Sequence, residues 1–375
     1  MDTIPARPLV IDLFSGVGGM SLGAARAGFQ VRAAVELDDI AASTHAINFP
    51  LTRHLQWDVS QAEGAKLLEA AGISSGQLDG LVGGPPCQGF SDIGRRAHDD
   101  PRNSLFEHFF RLVAELRPRF FVAENVPGIL AERNRAAVSA ALARVPVEYR
   151  VLKATEISAH SCGAATTRAR IFFVGYDPNR MNAMSEEALF SLESNATINV
   201  GEALLGLPRI RADWQSVNQG WRRVDKVESP NAFYHRLIDA VPYGVGCPAA
   251  LKRLRSWGEV SGNLGTLHTR DVVARFGRVR PGTTDPVSRA PRLKEDGFCP
   301  TLRAGTASDR GSFQAVRPIH HKSPRVISPR EAARLQGFPD WFQFHGTKWH
   351  SFRQIGNSVS PIVGETLLTR IRTFL

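Results

Sequence analysis

The stretch that most restricts the fold runs from Leu9 to Gly28. Leu9-Val10-Ile11-Asp12-Leu13-Phe14 is a short apolar run without clean alternation, which is how a strand buried on both faces of a parallel sheet reads. Ser15-Gly16-Val17-Gly18-Gly19 ends it, and Met20 to Ala27 then space as a helix that Gly28 closes. A strand, a glycine turn and a helix open a βαβ unit, so the chain is expected to be α/β, with ligands bound outside the carboxyl ends of its strands. Glycines at such a turn let a ligand approach the backbone at the helix N-terminus. No Lys-Ser or Lys-Thr pair follows them, so this is not the phosphate-gripping loop of nucleoside triphosphatases.

The second strand, Val31 to Val35, ends in Glu36-Leu37-Asp38, and Glu36 lies 20 residues after Gly16. An acid there hydrogen-bonds the ribose of an adenosine-containing cofactor. At this point a nicotinamide dinucleotide and S-adenosylmethionine fit equally. Asp58 closes a third short element, where it could meet an adenine amino group. Leu78 to Val82 read as a fourth strand, cut off by Gly83-Gly84-Pro85-Pro86 before Cys87-Gln88-Gly89-Phe90-Ser91. Proline cannot donate to a ladder, so the strand must stop there, and Cys87 falls just past its carboxyl end. The alternative is that Cys87 is a small buried apolar residue. Residues 91–103 are rich in glycine and charge and are expected to form a long mobile lid.

Ser104 to Leu116 are expected to be helical. A fifth strand over residues 119–123 delivers Glu124-Asn125-Val126-Pro127-Gly128 to the same sheet edge as Cys87, and Ile129 to Leu142 are expected to form a helix. Tyr149 to Ala154 and Arg170 to Gly175 read as an antiparallel pair. Arg168 and Arg170, two residues apart, face one side.

Beyond Gly175 the texture becomes irregular and basic. Residues 176–330 hold 23 Lys and Arg against 15 Asp and Glu, so this segment carries most of the net charge of +10, as expected of a surface that meets phosphates. Helices are expected at 184–194 and 231–240, then over Arg330–Leu335 and Ile362–Thr373. A length of 375 residues suggests about two domains. The four cysteines, Cys87, Cys162, Cys247 and Cys299, are scattered without a C-x-x-C pair, which disfavours zinc and disulfides and fits a reducing cytosol. No leader peptide and no membrane-length apolar run is expected.

Seven stretches in one order, DLFSGVGGMSLG from Asp12, ELD from Glu36, GGPPCQGFS from Gly83, ENVPG from Glu124, TTRARIFFVG from Thr166, SPREAARLQGFPD from Ser328 and QIGNSVSP from Gln354, make the chain resemble the bacterial DNA (cytosine-5) methyltransferases. The resemblance covers residues 8–175 and 300–375. It implies a Rossmann-like, S-adenosyl-L-methionine-dependent catalytic domain with a mixed sheet, plus a smaller loop-rich target-recognition domain. The expected division is 1–180 for the first, 181–345 for the second, and 346–375 for a segment returning to the catalytic domain.

By matching position the resemblance implies that Phe14, Ser15, Gly16, Gly18, Glu36, Leu37, Asp58, Val59, Pro86, Leu105, Asn357, Ser358 and Val359 line the cofactor pocket. Cys87, Glu124, Arg168 and Arg170 would be catalytic, with Cys87 adding to carbon 6 of cytosine, Glu124 as the acid at nitrogen 3, and Arg170 on the base carbonyl. Arg168 would orient the loop or Glu124, Asn125 would hold the strand end, and Gln88 and Ser91 would lie near DNA. The expected partner is double-stranded DNA, with a cognate restriction enzyme or defence-system components as a further one, and the protein is expected to be a cytoplasmic monomer without a metal. One departure stands out: the family's usual Val-Pro-Gln is replaced by Ala164-Ala165-Thr166. Thr301-Leu302 resembles the family's pair near the flipped base. The competing readings are an RNA-methylating relative, a DNA-binding module with a decayed site and a nicotinamide dehydrogenase.

Overall fold

The computed structural model describes residues 7–86, 104–191, 197–210, 219–228, 230–238, 241–304 and 317–375. Five parallel strands, β1 (Leu9–Leu13), β2 (Gln30–Val35), β3 (Arg53–Leu55), β4 (Gly80–Gly83) and β5 (Phe120–Asn125), lie in the order β3-β2-β1-β4-β5. The order reverses between β1 and β4, and that switch point opens a crevice at their carboxyl ends. The sheet continues antiparallel. β6 (Arg150–Val151) and β7 (Thr155–Ser158) both pair with β8 (Ala169–Tyr176), which itself runs against β5 with Glu124 opposite Phe172. The mixed α/β sheet is the one expected.

Alternate strand residues serve opposite faces. Val10, Val82, Phe120 and Val122 enter one core, whereas Ile11, Leu81, Phe121 and Ala123 enter the other. Helices α1 (Gly19–Arg26), α2 (Asp39–Asn48), α3 (Gly64–Ala71), α4 (Ser104–Leu116) and α5 (Arg135–Leu142) cover the sheet. The single helix expected over Ile129–Leu142 is broken. Two 3-10 turns, Pro127–Leu130 and Glu132–Asn134, precede α5, and buried Asn134 donates to the Gly128 carbonyl at 2.7 Å, holding the chain in a turn.

The basic segment carries α6 (Glu186–Phe190), α7 (Val200–Ala203), α8 (Ala232–Ile238), α9 (Pro248–Trp257) and α10 (Arg270–Arg278), with a two-stranded ribbon of β9 (Arg222–Arg223) and β10 (Glu259–Val260). Of these, only α6 and α8 fall where helices were expected; α6 is shorter, and residues 239–240 of the second lie outside the described residues. Phe276, Val279, Ala290 and Ile319 form a small core of their own under α10.

Three further helices follow: α11 (Pro329–Gln336), α12 (Lys348–Asn357) and α13 (Pro361–Arg372). The last packs on α1 so closely that a Cβ on Gly23 would stand 2.7 Å from the Gly364 backbone. Helix α11 is tied down by buried arginines. Arg330 donates to the carbonyls of Ser261, Pro339 and Phe342 at 2.7 to 2.9 Å, and Arg334 grips both oxygens of Asp340 at 2.8 and 2.6 Å.

Candidate active site

The crevice is built from backbone that few residues tolerate. At the end of β1, Phe14 and Gly16 both adopt φ of +55°, and Gly18, the N-cap of α1, adopts +98°. A left-handed phenylalanine is costly, so the surrounding packing must impose it. Glycine is required at two neighbours for space as well. A Cβ on Gly18 would meet the Phe49 ring at 2.3 Å, and one on Gly19 would meet the Val359 carbonyl oxygen at 2.2 Å. Glu36, at the end of β2, joins the turns: one carboxyl oxygen accepts the Gly16 amide and the other the Asp38 amide, each at 2.8 Å. Burial pushes the Glu36 carboxyl up from 4.5, and these amides oppose the rise.

The β4 and β5 ends form the opposite wall. A Cβ on Gly83 would strike the Leu13 carbonyl at 2.3 Å, and one on Gly84 would stand 3.0 Å from Glu124 Oε2. The two glycines thus let β4 lie against β1 and leave room for the acid. Glu124 is buried, and its Oε1 lies 2.7 Å from Arg170 Nε on β8. Arg168 is turned differently, donating to the Leu302 carbonyl at 3.2 Å. Asn125 accepts the Val126 amide and donates to the Pro85 carbonyl, clamping the ends of β5 and β4 together. The turn before the arginines is clipped to the segment around Cys299. Thr167 donates to the Cys299 carbonyl and Cys299 to the Ala165 carbonyl, both at 2.9 Å, with Ala164 and Ala165 fully buried. Small side chains in place of Val-Pro-Gln therefore leave the arginine strand anchored.

Helix α12 closes the crevice. Gln354 donates to Thr44 Oγ1 of α2 at 2.8 Å, and Arg353 reaches Asp38 at 3.2 Å. The result is a cavity of about 350 Å³, lined among others by Asp12, Phe14, Glu36, Pro86, Glu124 and Asn357. Small-molecule sites span roughly 300–1,000 Å³. Asp12 lies at 1% exposure in its wall, with Oδ2 accepting the Ser21 hydroxyl at 2.6 Å and Oδ1 buried without a partner.

Residues 9–373 match the family described as C-5 cytosine-specific DNA methylase. The chain belongs to this family. Among the relatives of this C-5 methylase, the type II methyltransferase M.XorII of Xanthomonas oryzae pv. oryzae is 40% identical over 96% of this chain and 84% of its own length. The type II methyltransferase M.DdeI of Desulfomicrobium norvegicum is 31% identical over 96% and 88%. The crystal structure of a DNA modification methyltransferase encoded within an E. coli prophage superposes with a TM-score of 0.87 at 46% identity, covering 98% of this chain and 99% of that one.

The C-5 methylase cavity brings together Phe14, Ser15, Gly16, Glu36, Pro86, Glu124, Arg168, Arg170, Asn357, Ser358 and Val359 of the residues expected from sequence. It does not reach Gly18, Leu37, Asp58, Val59 or Leu105. Gly18 serves the helix cap, and Leu37 is 60% exposed. Val59 is buried in the core beneath the sheet, and Asp58 lies past β3, caps its own turn by accepting the Ser60 amide at 2.9 Å and is exposed. Cys87, Gln88, Ser91 and the expected lid at 91–103 lie outside the described residues. Sequence reasoning missed Asp12, Asp38, His350, Arg353 and Gln354. Asp12 was in view as an acid inside an apolar run, a signal for a buried functional carboxyl. Gln354 opened the QIGNSVSP stretch without being read as lining the site, and His350 and Arg353 gave no signal, because the buried face of α12 mixes polar and apolar residues.

Proposed function

We propose that this C-5 cytosine DNA methylase takes S-adenosylmethionine in the crevice between β1 and β4 and methylates cytosine in duplex DNA through Cys87. The observation that carries this reading is the pairing of Glu124 and Arg170 in a cavity that Glu36 and Pro86, the residue before Cys87, also line. The cavity suits the cofactor. Glu36 offers carboxylate oxygens for ribose hydroxyls, and Asp12, a wall residue whose Oδ1 is buried without a partner, suits a cationic ligand. When bound, the cofactor supplies an electrophilic methyl group. Carbon 5 of cytosine is too weak a nucleophile by itself, and thiolate addition at carbon 6 makes the ring enamine-like.

Among the cysteines, Cys87 is the candidate that the others leave. Burial pushes the Cys162 thiol up to about 11 and the Cys299 thiol far above its ordinary value, and Cys247 is buried with its thiol donating to Gln343 at 3.0 Å. Glu124 would deliver or hold a proton at nitrogen 3, and Arg170, already beside it, would hold the base carbonyl as charge develops. Arg168 positions the 301–304 segment through Leu302. Loss of the carbon 5 proton and departure of the Cys87 sulfur restore the aromatic ring. Such chemistry requires the base to leave its stack.

Residues 1–180 and 346–375 would form the catalytic unit and 181–345 the target-recognition unit, with a restriction enzyme as a functional partner, as suits a relative of type II methyltransferases. No helix among the described residues is long and apolar enough to cross a membrane, and none of their side-chain clusters could hold a metal. Tritiated methyl transfer tests the reading: label passes from S-adenosylmethionine to duplex DNA and not to tRNA, and Cys87→Ala abolishes it while retaining cofactor binding. Transfer confined to RNA would overturn it.

A further inference from the structure

A line of four side chains leads from the cavity wall toward the surface. Asp12 Oδ2 accepts from Ser21 Oγ at 2.6 Å, Ser21 Oγ lies 3.0 Å from His45 Nε2, and His45 Nδ1 lies 2.9 Å from His54 Nε2. Asp12, Ser21 and His45 are at 1%, 0% and 0% exposure, so water does not reach this line from the side. Phe49 stacks on His45 with ring centroids 4.2 Å apart, which holds both ring nitrogens in line. Only His54, on β3, is partly exposed. At the inner end, Asp12 lines the cavity wall, and its Oδ1 is buried without a partner. The family chemistry leaves this line without a role.

We propose that Asp12, Ser21, His45 and His54 form a proton path by which the buried carboxyl of the cofactor cavity changes charge as the cationic cofactor binds. The proposal rests on the reading of the cavity as the S-adenosylmethionine site. Each link both accepts and donates, so the chain has two self-consistent polarities. With Asp12 protonated, Asp12 donates to Ser21, Ser21 to His45 Nε2, and His45 Nδ1–H to His54 Nε2. Passing one proton along every link leaves Asp12 as carboxylate accepting from Ser21, His45 Nε2–H donating to Ser21, and His54 Nε2–H donating to His45 Nδ1. The proton on His54 Nδ1 leaves to solvent. Every bond broken is matched by one formed, and no histidine remains charged.

The electrostatics suit such a path. Burial pushes Asp12 up to about 7, opposed by its bonds to Ser21 and aided by Glu36 at the end of β2. Burial also holds both histidines below 6.5, so each stays neutral and able to relay. The other charged groups of the cavity wall are Asp38, Glu124, Arg168, Arg170 and Arg353. Arg170 is balanced by Glu124 and Arg353 by Asp38, whereas Asp12 has no cation against it until a sulfonium or ammonium group arrives. With Asp12, Ser21 and His45 closed to water, the line to His54 is a route from the carboxyl to solvent that does not cross the cavity.

Calorimetry of S-adenosylmethionine binding, in buffers of different ionisation enthalpy from pH 6 to 8, should show proton release rising toward one per cofactor at the acid end. The apparent affinity should weaken by up to about tenfold per pH unit there. Asp12→Asn should bind with no proton released. His54→Gln, at the outer end, keeps a donor to His45 but cannot relay. Stopped flow with a pH indicator should show its proton appearing late relative to cofactor binding, at an unchanged final count. Binding without proton release in the native protein would overturn the coupling, and release by His54→Gln at the native rate would overturn the path. Failure to bind S-adenosylmethionine at all would overturn the cavity's assignment instead.

Discussion

Gly84 shows how a residue without a side chain controls one with a charge. A methyl group there would press on Glu124 Oε2 at 3.0 Å, and the carboxylate would have to shift by a few tenths of an ångström against Arg170. Small misplacements of reacting groups are expensive in rate, so Gly84→Ala should lower kcat by about tenfold or more while the melting temperature hardly moves. Steady-state kinetics beside thermal melts would check this; an unchanged kcat would mean that the acid's position is not critical. Arg170→Ala should have a larger effect, because it also strips the countercharge from a carboxylate at 8% exposure. Cofactor affinity, measured separately, should stay near native in both variants.

At the scale of the element, α11 shows a motif whose work is structural. Ser328 caps the helix by accepting the Glu331 amide at 3.2 Å, and Glu331 returns the bond to the Ser328 amide at 2.7 Å. This is a capping box, with Pro329 at the first helical position. Glu331 also accepts both arms of the Arg325 guanidinium at 2.9 and 2.6 Å. Burial alone would raise the Glu331 carboxyl, but the Arg325 fork, His320 and the Ser328 amide together take it below 4.5. A depressed folded value means that the carboxylate stabilises the fold above the unfolded value, and that this is lost as pH falls through the folded one. Urea unfolding should therefore show Glu331→Gln destabilised by about 3 kcal/mol at pH 7, since it leaves Arg325 buried and unpaired. The gap to the native protein should narrow below pH 4.5, the ordinary carboxylate value. Ser328→Ala should cost about 1 kcal/mol at either pH.

For the molecule as a whole, the excess positive charge has a location. Arg270, Arg278, Arg280 and Arg289 are exposed on and just after α10, whereas Arg275 is spent on Asp285 and Arg292 on the carbonyls that end the helix. Four exposed cations on one small unit suit a phosphate backbone better than base edges. Replacing all four with alanine should weaken DNA binding for every sequence alike. If each meets one phosphate, the slope of log affinity against log salt should fall by about 3 to 4. Fluorescence anisotropy at several salt concentrations would measure it, and a changed sequence preference with an unchanged slope would refute the assignment. Exchanging residues 181–345 for those of a relative should by contrast change the sequence methylated and not the atom, which bisulfite sequencing reads.

The chain itself determined the α/β class, the strands that end in Glu36 and Glu124, and the glycine turn between them. Buried parallel strands are apolar runs, and their terminators are glycine, proline and acids, so each is visible within a few residues. Helices α9, α10 and α12 were not visible. Helix α12 buries Ser351 and Gln354, satisfied by the His345 carbonyl and α2, beside Phe352 and Ile355, so its buried face mixes polar and apolar residues and no continuous apolar stripe marks it. The ion pair of Glu124 with Arg170, the divergence of Arg168 toward Leu302, and the line from Asp12 to His54 join residues 9 to 134 positions apart. Local sequence carries propensity and period. Which buried polar atom meets which is decided only when the sheet order and the return of the last helices bring distant segments into contact, because a buried polar group must find its partner wherever the fold places one.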